Sequence, residues 1–390
     1  MSRVGSGDDE RAALATMLGL PGMGPARLTA VVDRAGSAVA AWELVRRGDL
    51  AGIDLRIVQR RAELVDRWVQ AARGLDPAEV LDRHRAAGVE VLLPADAAWP
   101  STLAADPEPP RVLFVRGDVA LLERPGVAVV GTRRCTAGGA QVAGRFGAGL
   151  ADAGLTVVSG LALGVDGAAH RGALGAGGIP VGVVGSGLDV VYPARHRRLW
   201  ADVAEHGVLV GEAPLGAAPE RWRFPARNRI IAALSLAVVV VESGARGGSI
   251  TTAEEATTRD VPVLAVPGSV LAEQSVGTNQ LLFDGSGIAR DVPDVLAALG
   301  VQVPVGTPRL FDDLPDAGLS DDGFPGDGPA SGGGAVGAVA AVLSAVPASV
   351  ERVAAAADVS VTDAVTALAR LEASGAVCRV PGGYERVAVP

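Results

Sequence analysis

The chain has 390 residues, 49% of them apolar and 20% charged, enough apolar material for two or three cores and too little charge for a chain disordered throughout. A formal net charge of −9 excludes a simple polybasic nucleic-acid binder, so an anion-binding surface has to be a local cluster of cations. Every basic residue is an arginine, which excludes Schiff-base chemistry on lysine and a lysine-dependent phosphate loop.

The cysteines Cys135 and Cys378 cannot form a disulfide framework or a zinc site alone, and the four histidines stand at no ligand spacing. No metal or other cofactor is expected. Met1 to Glu10 is polar and acidic, unlike a signal peptide, and the long uncharged stretches are broken by Gly and Pro. The expectation is a soluble cytoplasmic protein without a membrane span.

Residues 11–84 read as short helices, over Arg11–Gly19, Pro25–Asp33 and Ile57–Ala72, with Pro25 suited to a first helical position. Between the first two, Leu20-Pro21-Gly22-Met23-Gly24-Pro25 resembles the turn of a helix-hairpin-helix (SAM-like) domain. It serves either to offer amides to a duplex phosphate or as a structural hairpin. Residues 85–123 are mixed, with candidate strands Val89–Leu93 and Val112–Val115 around a Pro-rich stretch, Asp106–Pro110.

From Val127 the pattern changes. Short apolar runs (Val127–Val130, Leu155–Val158, Val181–Val184, Val208–Val210, Ala237–Val241, Val263–Val266) alternate with helical stretches such as Ala140–Ala153 and Thr251–Arg259. Val-rich runs without polar alternation are strands buried on both faces. Strand–helix alternation then predicts a Rossmann-like, doubly wound parallel sheet of α/β class.

Residues 301–334 read as an acidic Gly/Pro linker, in which Asp312, Asp313, Asp316, Asp321, Asp322 and Asp327 face Arg309 alone. The tail regains helical periodicity over Val336–Val346, Ser349–Ala357 and Val361–Leu371. Val377–Val380 and Tyr384–Val387 then flank Pro381-Gly382-Gly383 as a hairpin. Three helices and a hairpin predict a winged helix. The expected domains are therefore 1–84 helical, 85–300 Rossmann-like, 301–334 linker and 335–390 winged helix.

Ligands of a doubly wound sheet bind beyond the carboxyl ends of its strands. The turns there are Gly131-Thr132-Arg133-Arg134, Ser159-Gly160 running on to Asp166 and His170, Gly185-Ser186-Gly187, Gly211-Glu212 and Glu242-Ser243-Gly244. Small residues let backbone amides approach a ligand, and arginines stand beside them. Across 127–300 there are 14 Arg against 15 acids, yet seven of those Arg fall in 195–229. Such an edge suits several phosphates. A GxGxxG after the first strand is missing, which disfavours a dinucleotide site.

The string from Gly131 to Gly285 resembles the DNA-processing protein A (DprA/Smf) family. The matching pieces are Gly131-Thr132-Arg133, SGLALGVDGAAH at 159–170, Tyr192-Pro193, FPARNRIIAALS at 224–235, Val241-Glu242, GGSITTAEEA at 247–256, Val266-Pro267-Gly268 and Gly277-Thr278-Asn279. The resemblance implies single-stranded DNA binding, loading of the RecA recombinase in natural transformation, a homodimer and no enzymatic turnover. It implies DNA contacts at Arg133, Arg227, Asn228, Ser159 and Gly160; Gly131, Thr132, Arg134 and Arg195 complete the candidate set. In departures from the family pattern, Thr132 replaces Ser, and Leu163 replaces the usual Arg and removes a charge.

Phe224, Trp222 and Tyr192 can stack on bases, with core packing the favoured role of each. Asp166, His170 and Glu242 look like an acid/base set but suit helix capping and orientation of the Gly turns better. Residues 336–390 hold four Arg and five acids, which favours protein contact over a DNA-reading helix. The alternative function is enzymatic or nucleotide-sensing: GGSITTAEEA also resembles the motif of LOG-type nucleotide phosphoribohydrolases, with Glu254 or Glu255 as the working carboxylate.

Overall fold

Along the central strands, odd and even residues enter different cores, which is why these segments are apolar without alternation. Val127 and Val129 face one core with Ala237, Val239 and Val241. Ala128 and Val130 face the other with Val238 and Val240. The computed structural model in which this is seen describes residues 7–55, 61–301, 335–343, 348–373, 376–380 and 383–386. The linker 302–334, the first turn of the helix expected from Ile57 and the hairpin tip at Pro381-Gly382 lie outside the described residues.

Contacts divide the chain into two units, Met1–Asp313 and Leu314–Pro390. The first opens with helices α1 (Gly7–Leu18), α2 (Pro25–Ala35), α3 (Ala38–Arg47), α4 (Arg61–Ala72) and α5 (Pro77–Ala86). Pro25 is at the start of α2, with Gly24 as its N-cap. Then follow β1 (Glu90–Leu92), the short α6 (Ser101–Ala104) and β2 (Leu113–Gly117). The parallel region is β3 (Gly126–Val130), α7 (Ala137–Asp152), β4 (Thr156–Ser159), α8 (Val165–Gly175), β5 (Pro180–Val183), α9 (Arg197–His206) and β6 (Val208–Gly211). It continues with α10 (Arg223–Ala233), β7 (Ala237–Val240), α11 (Gly248–Thr257), β8 (Val263–Ala265), α12 (Val276–Phe283), β9 (Gly287–Ile288) and α13 (Val292–Ala298).

The nine strands lie in the order β1-β2-β6-β5-β4-β3-β7-β8-β9. β3 to β9 are mutually parallel, whereas β2 runs antiparallel to β6 and β1 antiparallel to β2. The expected parallel sheet is therefore a mostly parallel one with an antiparallel margin, and with one more parallel strand, β9, than the apolar runs mark. The chain winds outward from β3 to β6 and returns to start again at β7, so the strand order reverses between β3 and β7. That crevice is where ligands bind in such sheets.

Helices cover both faces. α7, α8 and α13 contribute Phe146, Leu150, Ala169 and Val295 to one core; α10 and α11 contribute Ile230, Ile231, Ala253 and Ala256 to the other. The N-terminal helices share a third core with Phe114 of β2, Leu209 of β6 and Trp200 of α9. They are thus packed against the antiparallel end of the sheet within the same compact unit. His84 of α5 ties this junction: its Nδ1–H donates to the Val80 carbonyl (2.7 Å), and its Nε2 accepts from the Leu215 amide (3.1 Å).

The second unit holds α14 (Ala335–Val342), α15 (Val350–Ala356), α16 (Val361–Ala373) and the antiparallel pair β10 (Val377–Val380) and β11 (Gly383–Arg386). Val339, Leu343, Val353, Ala364, Ala367, Leu368 and Val377 form its core.

Candidate nucleic-acid interface

Arg133 follows β3 on the turn into α7, and Arg227 stands in the second turn of α10. Both line one cleft of about 40 Å³, with Gly160, Ala162, Leu163, Tyr192, Pro193 and Phe224. Arg133 is exposed, with its guanidinium 5.0 Å from the Phe224 ring centre. Phe224 in turn meets Tyr192 at 5.4 Å between ring centres. A cation and two aromatic faces are thus in sequence along one wall.

Arg227 is only 7% exposed. Its Nη1–H donates to the Val183 carbonyl and its Nε–H to Asn228 Oδ1, the latter at 3.1 Å. Among the described residues no carboxylate lies within ion-pair distance of it. Burial draws its pKa down to about 10, with nearby Asp166 opposing that and Arg133 adding to it, so it keeps its charge at neutral pH. The loop after β4 is shaped around it: a Cβ on Gly160 would collide with the guanidinium. Asp166, itself buried, accepts from the amides of Gly160 (3.1 Å) and Ala162 (3.3 Å) and so holds that loop. Burial raises the Asp166 pKa, and Arg227 and the two amides pull against the rise.

The other candidates divide into presenting and supporting groups. Gly131 and Thr132 are half-buried on the Arg133 turn, and Arg134 is exposed there with its amide donating to Thr132 Oγ1 (3.2 Å). Ser159 is fully buried and donates to the Val129 carbonyl (2.7 Å). Asn228 is buried and donates to the Gly248 carbonyl (3.1 Å), which joins α10 to the start of α11. Arg195 is exposed in a one-turn 3-10 helix just after Pro193 and does not line the cleft. Leu163 does, so an apolar wall stands where the related pattern carries a charge.

The core-packing reading of the aromatics fails for two of the three: Tyr192 is 41% exposed and Trp222 37%. Capping fits Glu242 directly. Its carboxylate accepts from Thr136 N–H (2.9 Å) and Oγ1–H (2.7 Å) at the start of α7, and its carbonyl accepts from the Thr132 amide (2.7 Å). His170 is fully buried, and neither ring nitrogen makes a well-formed hydrogen bond. Burial lowers its pKa to about 3. Sequence reasoning did not anticipate the burial of Arg227, because the surrounding loops come from separate parts of the chain.

A second, larger cavity of about 1090 Å³ lies between the Gly22–Pro25 turn, the Pro107–Pro110 stretch and α10, with Trp222 on its wall. Its arginines are largely engaged: Arg229 pairs with Glu212 (2.5 Å) and Arg111 with Asp33. Glu255 pairs with Arg259 (2.5 Å) and Glu254 is exposed, and neither lines the Arg133–Arg227 cleft. No group of three or more metal-ligating side chains occurs among the described residues, and no described helix is long and apolar enough to cross a membrane.

Comparison with known proteins finds matches over this same region. The model of a family described as DNA recombination-mediator protein A matches residues 90–300. Protein Smf of Synechocystis is 33% identical over 285 residues, 72% of this chain and 70% of its own length. A putative DNA processing protein DprA of Mycobacterium tuberculosis is 39% identical over 288 residues, 70% of this chain and 71% of its own. The solved structure of DNA processing protein A from Streptococcus pneumoniae superposes with a TM-score of 0.60 at 33% identity, covering 75% of this chain and 98% of that one.

Proposed function

The chain belongs to the DNA recombination-mediator protein A family, and from that premise we propose that it binds single-stranded DNA in the Arg133–Arg227 cleft without chemical turnover. The observation that carries this reading is Arg227: a buried, charged arginine that makes no direct salt bridge among the described residues, beside an exposed arginine in a cleft walled by aromatic rings. Asp166 offsets part of the cost of burying this charge, but no carboxylate makes a direct ion pair with it among the described residues, and a strand phosphate would supply that contact. Tyr192 and Phe224 offer faces to bases, which only an unpaired strand leaves free to stack. Gly131, Thr132, Arg134 and Arg195 would follow the backbone, while Ser159, Gly160 and Asn228 would shape the floor.

The family description as a recombination mediator supports a further step, the hand-off of the strand to a RecA-type recombinase in the cytoplasm during DNA uptake. A homodimer is supported by the exposed large apolar residues between the end of β8 and the edge strand β9. Leu271 is 93% exposed and Phe283 86%, with Val270 and Ile288 also exposed, and apolar surface of this kind favours association. The three helices and hairpin of the second unit fit a winged helix. The exposed Val361 and Val365 on α16, a helix whose sole arginine is Arg370, suit protein contact better than duplex reading.

Competition binding tests the proposal. A labelled oligonucleotide bound by the full chain should be displaced by single-stranded but far less by duplex competitor. Arg133→Ala and Arg227→Ala should each weaken binding. Unchanged affinity in both variants at matched salt would overturn the site. Release of base from nucleoside monophosphates would instead favour the phosphoribohydrolase reading.

A further inference from the structure

The start of the first helix after the first parallel strand is the ordinary phosphate seat of a doubly wound sheet, because free amides and the helix dipole converge there. In this protein the seat is filled from within. The Glu242 carboxylate, arriving from the end of β7, takes the Thr136 amide and hydroxyl. The Thr136 hydroxyl in turn accepts from the Gly139 amide at 2.9 Å. A Cβ on Gly139 would overlap the carboxylate, so the helix has a notch that fits it. Thr136 caps the helix that follows β3 and Glu242 lies just past the end of β7, the two strands between which the strand order reverses.

We infer that Glu242 is a positioning and specificity-determining residue: its side chain fills the α7 N-terminus, so that phosphate finds no room there, and fixes the turn that carries Arg133. Two consequences follow from the geometry. A free nucleotide or dinucleotide finds its usual seat occupied by a side chain. A strand phosphate is left with the neighbouring cations, Arg133 and Arg227, on the β4 side of the crevice. The turn itself is clamped at both ends, by the Glu242 carbonyl on the Thr132 amide and by its carboxylate on Thr136, so Arg133 projects from a fixed span.

The inference rests on the single-strand reading only for its second half, and the experiment separates the two. Inorganic phosphate is titrated calorimetrically into the full-length wild type, Glu242→Ala, Glu242→Gln and Gly139→Ala; single-strand affinity and thermal stability are measured for each. Glu242→Ala should gain millimolar phosphate binding that the wild type lacks, and lose roughly tenfold in strand affinity as the Arg133 turn loosens. Glu242→Gln, nearly isosteric and still able to accept the Thr136 amide, should gain no phosphate binding and keep strand affinity within about threefold. Gly139→Ala displaces the carboxylate but fills the notch with its own methyl, so it should lose strand affinity without gaining phosphate.

A folded Glu242→Ala that binds phosphate no better than wild type overturns the inference. So does wild-type protein that already binds phosphate at this seat, or Glu242→Gln that behaves as Glu242→Ala does. Should Glu242→Ala fail to fold, the Gln and Gly139 variants decide the matter alone. If Arg133→Ala leaves strand binding intact, the single-strand reading fails, while the phosphate result for Glu242 stands by itself.

Discussion

Arg133 and Arg227 reach one cleft by opposite routes. Arg133 leans from an exposed turn over Phe224 and gives up little hydration to be there. Arg227 is sunk beneath the loop after β4, fixed by a backbone carbonyl and a neighbouring amide side chain. An exposed cation contributes attraction that salt screens readily. A buried one is already oriented when a ligand arrives, and its field is screened far less. The difference teaches that the two charges, equivalent in a count, should fail differently when removed.

The largest effect is expected at the buried side. Arg227→Ala should weaken single-strand binding by about 10- to 100-fold, the scale of losing an oriented charged hydrogen-bond donor. Arg227→Lys should recover only part of it, since an ammonium cannot reproduce the fork. Gly160→Ala should mimic that loss with Arg227 still present, because the new methyl occupies the guanidinium's place. It should also lower stability by roughly 1–3 kcal/mol. Anisotropy titrations paired with thermal melts check both; a Gly160→Ala protein with wild-type affinity would mean that the Arg227 seat does not matter.

Acid should sharpen the contrast. The ring of His170, buried near the Arg227 side, takes a proton only near pH 3, against 6.5 for an ordinary imidazole. Between those values the unfolded chain binds the extra proton, so stability falls as pH is lowered, by up to about 1.4 kcal/mol per pH unit. His84, whose pKa burial also lowers, acts in the same direction. Urea melts from pH 7 to pH 5 should show this loss, and a folded His170→Gln should show a shallower slope; an unchanged slope would remove His170 from the account. Arg133→Ala, at the exposed end, should cost roughly 3- to 10-fold in affinity at low salt and leave the melting temperature unmoved.

The contrast also marks what the residues alone disclose. The sheet was legible because both its faces are covered, which turns each strand into a plain Val-rich run such as Val127–Val130. Gly turns and a dense arginine window marked the carboxyl edge as basic, and it was the family resemblance that picked out Arg133 and Arg227 within it. The antiparallel direction of β1 and β2 was not, since strands this short carry no signal of orientation. Nor was the exposure of Tyr192 and Trp222, for a large aromatic ring reads first as core. Glu242 was recognised as a capping residue, but the notch that receives it, at Gly139, becomes apparent only once β3 and β7 lie side by side.

The salt dependence of strand affinity tests the central claim most directly. Titrations of the wild type, Arg133→Ala and Arg227→Ala across a range of salt concentrations give the slope of log affinity against log salt, which counts the phosphates neutralised. Removing either arginine should make that slope shallower by about 0.7, the value for one single-strand phosphate contact. If both variants keep the wild-type slope, neither arginine meets the backbone, and the cleft is not where the strand lies.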